Sequence, residues 1–511
     1  MKTIFKKYTL AFIGVLLVSA CGKDFLEVEP RGSDLEANYY QNEEEAYKGL
    51  VAVYDVVGFM SGGLVTKLGA VNSASDDHFA GGGGPTDMTV FQVWSDYTLD
   101  PSVGPQSDLW SKGYSGVFRA NVLLSKLPGV PMDEDQKARF VAESRFLRAY
   151  FYFDLVRLFK NIPLLSSPVS AGEMYNVTQA SPDDVYAFIE QELEECIADL
   201  PNTVAGVERA RATTGMAHAL LGKVYLYREK FAEAASELAI VNGTTPGQPS
   251  AIYGYNLVST YSDLFKTNNE FNSESIFEIS FTNTSAGNWG CSACTEGNIL
   301  NVMSGPRGFK VVSGNEGTVP NYVSGWSFFP ITPSLATAMQ GDPRFPATIA
   351  DIGGLAAEGK VEYTPGFMDT GYFLEKFAAK VEDRWTGAGD ADLNYPQNIY
   401  EIRLADTYLM EAEALVRGGG SAVRAQALLD AVRDRVGLAS IPATFENIFN
   451  ERRLELAGEG HRWFDLVRTD KAAAALGSRG FVAGKHEILP IPLLEMENTK
   501  ILQSVEWGGS L

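Results

Sequence analysis

Apolar residues recur at helical spacing along much of this chain, and this pattern constrains the fold most. Behind Ser181 and Pro182, apolar residues follow a 3.6-residue period from Val185 to Leu200. Ser181 carries the hydroxyl of a helix N-cap, and proline suits the first helical position. An amphipathic helix must bury its apolar face against a neighbour, so the pattern predicts packed helices.

Two further segments predict helical hairpins. Residues 212–241 place small and apolar side chains at the spacing of a tetratricopeptide unit, with the small ones where two helices cross. They are Leu221, Gly222, Tyr225, Ala234 and Leu238. Residues 404–436 predict a second hairpin, which three glycines at 418–420 interrupt. The expected fold is therefore mainly α, with a tetratricopeptide-like helical-hairpin scaffold.

Residues 58–110 and 243–400 differ from this scaffold because glycine, proline, asparagine and aromatic residues dominate them. We expect them to be loop-rich excursions that build a ligand-binding face, since compact domains rarely carry long loops without using them. The predicted organisation is an N-terminal helical region at 40–240, a loop-rich region at 241–400 and a C-terminal helical region at 401–511. The glycine run at 81–84 is followed by proline and lacks the frame of a phosphate-binding loop.

The first twenty residues predict a lipoprotein signal peptide. Three lysines precede an apolar stretch that is too short to span a bilayer, and small residues lead up to Cys21. Cys21 is the predicted lipidation site, and residues 21–39 are the predicted tether. The alternative is an ordinary signal peptide followed by a chance cysteine.

The net charge of the chain argues against two classes of binding partner. The formal net charge is −22, and removing residues 1–20 takes away three lysines and no acid, which gives −25. Nucleic-acid binding depends on Lys and Arg that neutralise phosphates, so the charge argues against it. The same charge argues against adsorption on anionic lipid, so we expect contact with the membrane only through the anchor.

The remaining cysteines suggest structural roles. Cys196 falls on the apolar face of a predicted helix, where a thiol packs as a small hydrophobe. Cys291 and Cys294 lie in Gly/Ser/Asn-rich sequence of an exported chain. We expect a local disulfide between them, with a redox pair as the alternative.

Signals for catalysis or metal binding are few. The four histidines form no close pair, and Asp76 and Asp77 are adjacent rather than facing one another as glycosidase carboxylates must. The spacing of a calcium loop recurs in four residues, although the glycine of that loop is missing. They are Asp390, Asp392, Asn394 and Glu401. No cofactor is predicted other than this candidate structural calcium.

Aromatic residues in the excursions are the strongest candidates for ligand binding. Trp94 and Tyr97 lie in the first excursion, and Trp289 and Trp326 lie in the second. Sugar rings present apolar C–H faces that stack on aromatic rings, and their hydroxyls bind polar side chains at the rim. The alternative is that most of these rings pack inside the protein.

One segment of the chain forms a long, specific motif: Glu451-Arg-Arg-Leu-Glu-Leu-Ala-Gly-Glu-Gly-His461-Arg-Trp-Phe-Asp465-Leu-Val-Arg468. Further motifs lie at residues 21–27, 145–152, 161–164, 212–225, 486–492 and 502–507. Together these segments resemble the SusD/RagB family of nutrient-binding outer-membrane lipoproteins of Bacteroidetes. The 451–468 motif is dense in charge, but its residues are helix-spaced, so we expect a buried ion-pair network rather than a catalytic centre.

The resemblance implies binding rather than enzymatic activity. Family members are extracellular lids on a SusC-like TonB-dependent transporter, to which they pass captured glycans or peptides. It places Trp94, with Asp76, Asp77 and Tyr97, in the N-terminal ligand region, and Trp289 and Trp326 in a variable region that completes the site. A glycan-binding lipoprotein on the extracellular face of the outer membrane is the expected function. Peptide capture and a mainly structural lid are the alternatives.

Overall fold

The structure is a computed structural model that describes residues 39–511, the side chains of residues 292–294 excepted. The predicted signal peptide (1–20), the lipidation site Cys21 and all but the last residue of the tether (21–39) lie outside this part of the chain and stay predictions. Within residues 39–511, no helix combines the length and the apolar character needed to cross a bilayer.

Helices dominate the described chain, which confirms the predicted mainly α fold. In chain order they are α1 (Glu43–Ser61), α2 (Lys67–Ala74), α3 (Thr89–Ser95), α4 (Gln106–Lys126), α5 (Glu134–Phe159), α6 (Pro182–Ile197), α7 (Thr214–Tyr227), α8 (Phe231–Asn242), α9 (Leu300–Ser304), α10 (Pro333–Ala338), α11 (Phe345–Thr348), α12 (Ile352–Ala357), α13 (Leu404–Arg417), α14 (Ala422–Asp434), α15 (Phe445–Glu455), α16 (Arg462–Arg468), α17 (Ala472–Leu476) and α18 (Leu493–Met496).

Successive long helices pack side by side as hairpins, from α4 through α8 and on to α13 and α14. The Ser181 hydroxyl caps α6 by accepting a hydrogen bond from the backbone N–H of Asp184. Where α7 crosses α8, a Cβ atom at Gly222 would lie only 2.6 Å from Cγ of Leu238. The glycine therefore lets the two helices approach closely, as the tetratricopeptide spacing predicts.

The second excursion contains short antiparallel strand pairs between its loops. β1 (Ser275–Ile279) pairs with β6 (Ile399–Arg403), β2 (Lys310–Val311) with β4 (Val361–Glu362), and β3 (Ile349–Asp351) with β5 (Tyr372–Leu374). In the first pair, Ser275 lies opposite Arg403 and Ile279 lies opposite Ile399. This pairing joins the beginning of the excursion to its end, directly before α13.

The first excursion is more ordered than its sequence predicts. It contains α2 and α3, and every residue of α2 is buried. Lys67 begins α2, and its ammonium group lies 2.8 Å from carboxylate oxygens of both Asp154 and Glu401. A lysine among small polar residues is typical of a surface loop. Here the two carboxylates pair with the ammonium group, so Lys67 can be buried.

A buried ion cluster joins the excursion to the helical scaffold. Arg403 lies between the carboxylates of Glu274, Glu455 and Glu459, at 2.7, 2.6 and 2.7 Å. The other members are Arg344, Lys376, Arg435 and Glu451. Paired charges with several hydrogen bonds offset the loss of hydration, whereas an unpaired buried charge is strongly destabilising.

Six charged residues of the 451–468 motif, Asp465 and the four arginines and one glutamate named next, form ion pairs. Arg452 contacts Asp406 and Asp465, while Arg468 contacts Glu413. The remaining members of the set are Arg453, Glu455 and Arg462, paired with Asp77, Arg403 and Asp76. This geometry is that of a scaffold network, as the helix spacing predicts.

The electrostatics of the cluster keep its carboxylates ionised. Burial alone would raise the pKa of Glu459, but the guanidinium of Arg403 and the ammonium of Lys376 lower this pKa to about 2. In the same way, burial is overcome at Glu401 by Lys67, which lowers the pKa of that carboxyl to about 2.

Replacing Glu455 by Gln should destabilise the protein by about 3–5 kcal/mol, because Arg344, Arg403 and Arg435 would each lose one charged partner in a buried site. The free energy of unfolding from a denaturant titration measures this loss. Glu497→Gln, at an exposed glutamate near the C-terminus, is the matched control and should leave the value unchanged. Equal unfolding midpoints for the two variants would contradict a structural role for the cluster.

The protein should lose thermal stability as the pH falls from about 5 to 2. Carboxyls whose folded-state pKa is depressed stabilise the fold above their unfolded pKa of about 4, and this contribution disappears as the folded pKa is approached. Melting temperatures measured across this range test the expectation. In Glu459→Gln the drop should be smaller, and an identical drop in both proteins would show that Glu459 is not involved.

Candidate functional site

Trp94 and Tyr97, two of the predicted ligand-binding residues, lie in the core. The Trp94 side chain is 1% exposed, and its ring centroid lies 5.3 Å from that of Trp463 in an edge-to-face contact. Tyr97 is 5% exposed, and its hydroxyl donates a hydrogen bond to the backbone carbonyl of Ala74. Neither ring presents a face to solvent, so both predictions are corrected: these residues stabilise the fold.

Asp76 and Asp77 are likewise structural rather than ligand-binding. Both carboxylate oxygens of Asp76 accept hydrogen bonds from the guanidinium of Arg462, at 2.7 and 2.8 Å. Asp77 is fully buried and accepts a hydrogen bond from Nε of Arg453 at 2.7 Å. The two aspartates thus hold the 451–468 motif against the first excursion. The prediction that they bind ligand is therefore corrected.

Other aromatic residues of the two excursions are also buried. Trp110 is 3% exposed and packs edge-on against Phe159. Tyr322, Phe328 and Phe329 belong to the same buried set. For these residues the structure shows packing inside the protein, which is the alternative to ligand binding given above.

Trp289 and Trp326 are different, because the structure brings them together at the surface. Their ring centroids lie 5.9 Å apart and their planes are inclined by 32°. Trp289 is 46% exposed, while Trp326 is partly buried and rests on the core. We call this pair the tryptophan platform. Two neighbouring, slightly inclined indole faces can stack with successive rings of an oligosaccharide.

Backbone hydrogen bonds and closely packed glycines hold Trp326 in place. Its N–H donates to the carbonyl of Val302 at 2.9 Å, and the N–H of Gly325 donates to the carbonyl of Pro306 at 2.9 Å. A Cβ atom at Gly305 would lie 3.2 Å from Cα of Gly325, so two glycines meet where these segments cross. The loop that carries Trp326 is therefore fixed by the helix and turn before it.

Trp289 is positioned by the loop around Asp390. Its backbone N–H donates to Oδ2 of Asp390 at 3.0 Å, and the N–H of Asp390 donates to the carbonyl of Gly287 at 2.9 Å. Asn394 donates from its side-chain amide to the same Gly287 carbonyl at 2.9 Å. Two distant segments of the excursion thus form one side of the platform.

Polar groups lie beside Trp326. The guanidinium of Arg307 donates to the Trp326 carbonyl at 3.0 Å and lies 3.7 Å from Oδ2 of Asp87. Asp87 also accepts the backbone N–H of Gly83 at 2.7 Å. A Cβ atom at Gly83 would lie 3.1 Å from Nη2 of Arg307, so the glycine run makes room for the arginine. Arg307 and Asp87 are both about two-fifths exposed and can bind hydroxyl groups.

Sequence reasoning missed Trp385, which lies on the loop leading to Asp390. The ring is only partly buried, and its Nε1 donates to the carbonyl of Ala388 at 2.7 Å. Gly387 and Gly389 follow it in the sequence, a glycine-rich setting similar to that of Trp289. This glycine-rich composition is the sequence feature that could have identified Trp385 as a candidate.

The calcium prediction is not supported by the geometry. Glu401 binds the buried ammonium of Lys67, and the Asn394 side chain is engaged with backbone groups of the neighbouring loop. Asp390 accepts a backbone N–H, and burial raises the pKa of Asp392. In the described chain no group of three or more acidic, histidine or cysteine side chains is arranged to hold a metal ion. Glu401, Asn394 and Asp390 are thus each engaged by other groups of the protein.

The cysteines agree with structural roles as far as the structure describes them. Cys196 is a free, buried thiol, as the helix periodicity predicts. Cys291 is disulfide-bonded. The side chain of Cys294 is outside the described part of the chain, so its pairing with Cys291 stays a prediction.

Comparison with family models gives two matches that together span most of the chain. Residues 273–482 match the model described as the SusD family. Residues 24–226 match a model described as starch-binding, associating with outer membrane.

Solved structures and curated proteins agree with these matches. A laminarin-binding SusD-like protein is 53% identical, with a TM-score of 0.88 over 91% of this chain and 99% of that one. Surface glycan-binding protein A from Bacteroides thetaiotaomicron, in complex with laminarihexaose, is 27% identical, with a TM-score of 0.79 over 90% and 99%. SusD-like protein P25 of Formosa agariphila is 23% identical over 96% of both chains.

Trp94→Ala should lower the free energy of unfolding by about 3–5 kcal/mol, because it leaves a cavity in the core. Trp289→Ala should change the same quantity by less than about 1 kcal/mol, since nearly half of that side chain is already exposed. Denaturant titration of the two variants makes the comparison. Similar losses in both would show that the structural assignment of Trp94 is wrong.

Proposed function

This chain belongs to the SusD family, and we propose that it is a cell-surface lipoprotein that binds a neutral glycan on the tryptophan platform. The observation that carries the proposal is the pair of indole rings 5.9 Å apart on loops of the second excursion. Exposed tryptophans at such spacing offer large apolar faces at little conformational cost.

The polar groups near the platform fit the rim of a sugar. Arg307, which contacts the Trp326 carbonyl, supplies hydrogen-bond donors, and Asp87, which faces Arg307, supplies acceptors. Sugar hydroxyls donate and accept, so one donor and one acceptor group at the edge of an aromatic face can fix the orientation of a ring. The loops that carry these groups are held by backbone bonds, so the site is largely formed before ligand binds.

We propose a β-1,3-linked glucan as the ligand class. The similar structures include a laminarin-binding protein and a complex with laminarihexaose, and laminarin is a β-1,3-linked glucan. The 32° inclination of the two rings suits a chain that curves between successive units better than a flat ribbon. The net charge of −22 also favours a neutral polysaccharide over an anionic one.

We propose binding without catalysis. The two carboxylates beside the platform are each held by the loop structure: Asp87 accepts a backbone N–H and faces Arg307, and Asp390 accepts the N–H of Trp289. A glycosidase instead uses two carboxyl groups that face one another across the scissile bond, one of them poised as an acid. These two aspartates are engaged as positioning groups.

The wider setting follows from the family. We propose that lipid on Cys21 attaches the protein to the extracellular face of the outer membrane and that bound glycan passes to a SusC-like TonB-dependent transporter. Acylation of one cysteine gives an anchor without a spanning helix. The helical scaffold would face the transporter, and the second excursion would face the glycan.

Isothermal titration with laminarihexaose tests the site. We expect Trp289→Ala and Trp326→Ala each to weaken binding about tenfold, which corresponds to about 1.4 kcal/mol of binding free energy. The double variant should weaken binding further. Tyr175→Ala is the matched control, since it removes a 55% exposed aromatic from an unrelated loop. Cellohexaose and maltohexaose, titrated in parallel, test the linkage.

Unchanged affinity in the double variant would overturn the platform as the site. Absence of binding to all three hexaoses by the unaltered protein would overturn the glycan proposal itself. Stronger binding of cellohexaose or maltohexaose would leave the platform in place and contradict the β-1,3 assignment.

A further inference from the structure

A second cleft lies between the helical scaffold and β1, and it shares no residue with the tryptophan platform. It is bordered by residues 202–209, which precede α7, by Tyr253 to Tyr255, and by the segment around Phe271. Its volume is about 360 Å³. Pockets that hold small ligands begin at roughly 300 Å³, so the cleft has room for one or two sugar rings.

One wall of the cleft is a stacked pair of tyrosines. The rings of Tyr253 and Tyr255 are 5.3 Å apart and inclined by 29°. Gly254 between them has φ +71°, a conformation that glycine adopts readily. Tyr255 lies against α7, where a Cβ atom at Gly215 would come within 2.5 Å of its hydroxyl. Tyr253 stacks on this fixed ring and is itself only partly buried.

Phe271, which also lines the cleft, has a strained backbone conformation. Phe271 has φ +51°, which is uncommon for a bulky residue. Its backbone N–H donates to both carboxylate oxygens of Glu278, at 3.1 and 2.9 Å, and these bonds hold the strained turn. The guanidinium of Arg209 lies 4.3 Å from the centre of the Phe271 ring. Strained residues that are held in place in this way concentrate at binding sites.

Polar groups border the mouth of the cleft. Asn202, Thr203 and Ser273 are exposed there, and they offer amide and hydroxyl groups. The charged groups in the lining are Arg209 and Glu278, which have opposite signs. A cleft with aromatic walls, a hydroxyl-bearing mouth and balanced charge fits a neutral, hydroxyl-rich ring.

The geometry points to a second glycan-binding site in this cleft, which takes the end of a neutral oligosaccharide between Tyr253 and Phe271. Two separate sites on one chain would let the protein hold two points of a single polysaccharide. Binding of the second point is then intramolecular, so a long polymer would be held more tightly than a short fragment.

Saturation-transfer difference NMR on the Trp289→Ala, Trp326→Ala double variant tests the second site without the platform. Laminarihexaose, cellohexaose and maltohexaose serve as probes at millimolar concentration. We expect saturation transfer to at least one hexaose in the double variant and its loss when Tyr253→Ala is added. Tyr253→Phe should retain the signal, because the ring face remains.

Ile252→Ala, added to the same double variant, is the control, since Ile252 is a neighbouring side chain that is 54% exposed. Its signal should equal that of the double variant, and circular dichroism melts should show all variants folded. Absence of transfer to every hexaose in the double variant would overturn the second site while leaving the platform proposal intact. Equal signals with and without Tyr253→Ala would also overturn it.

Discussion

The buried contact of Arg403 with Glu455 and its neighbours is the interaction on which the rest of the structure depends. Arg403 ends β6, Glu455 ends α15, and Glu274 precedes β1, so one arginine holds together three distant parts of the chain. Arg344 brings the interior of the excursion to the same carboxylates. Buried charges tolerate little misplacement, because any that loses its partner becomes strongly destabilising. The cluster therefore fixes where the loop-rich region sits on the helices.

Given that fixed base, the excursion can carry exposed aromatic residues without losing order. Trp326 and Trp289 are held by backbone hydrogen bonds, by Asp390 and, for Trp326, by packing on the core. Nearly half of Trp289 is exposed and can contact a ligand. The charged residues of the 451–468 motif are engaged in buried ion pairs, so they support the fold. Asp76 and Asp77 belong to this supporting structure as well.

The helical scaffold could be predicted from the sequence because the patterns that indicate it are local. The Ser181 cap joins residues within one turn, and the crossing at Gly222 joins two helices that follow one another directly in the chain. The site was harder to predict because its geometry is non-local. Trp94 and Trp289 both lie in irregular sequence, yet one packs against Trp463 far along the chain and the other faces solvent. No local pattern distinguishes these two outcomes.

A crystal structure with bound laminarihexaose would show whether a glycan stacks on Trp289 and Trp326. We expect successive glucose rings over the two indole faces, with hydroxyl groups bonded to Arg307 or Asp87. A sugar bound elsewhere, with both tryptophans uncovered, would contradict it.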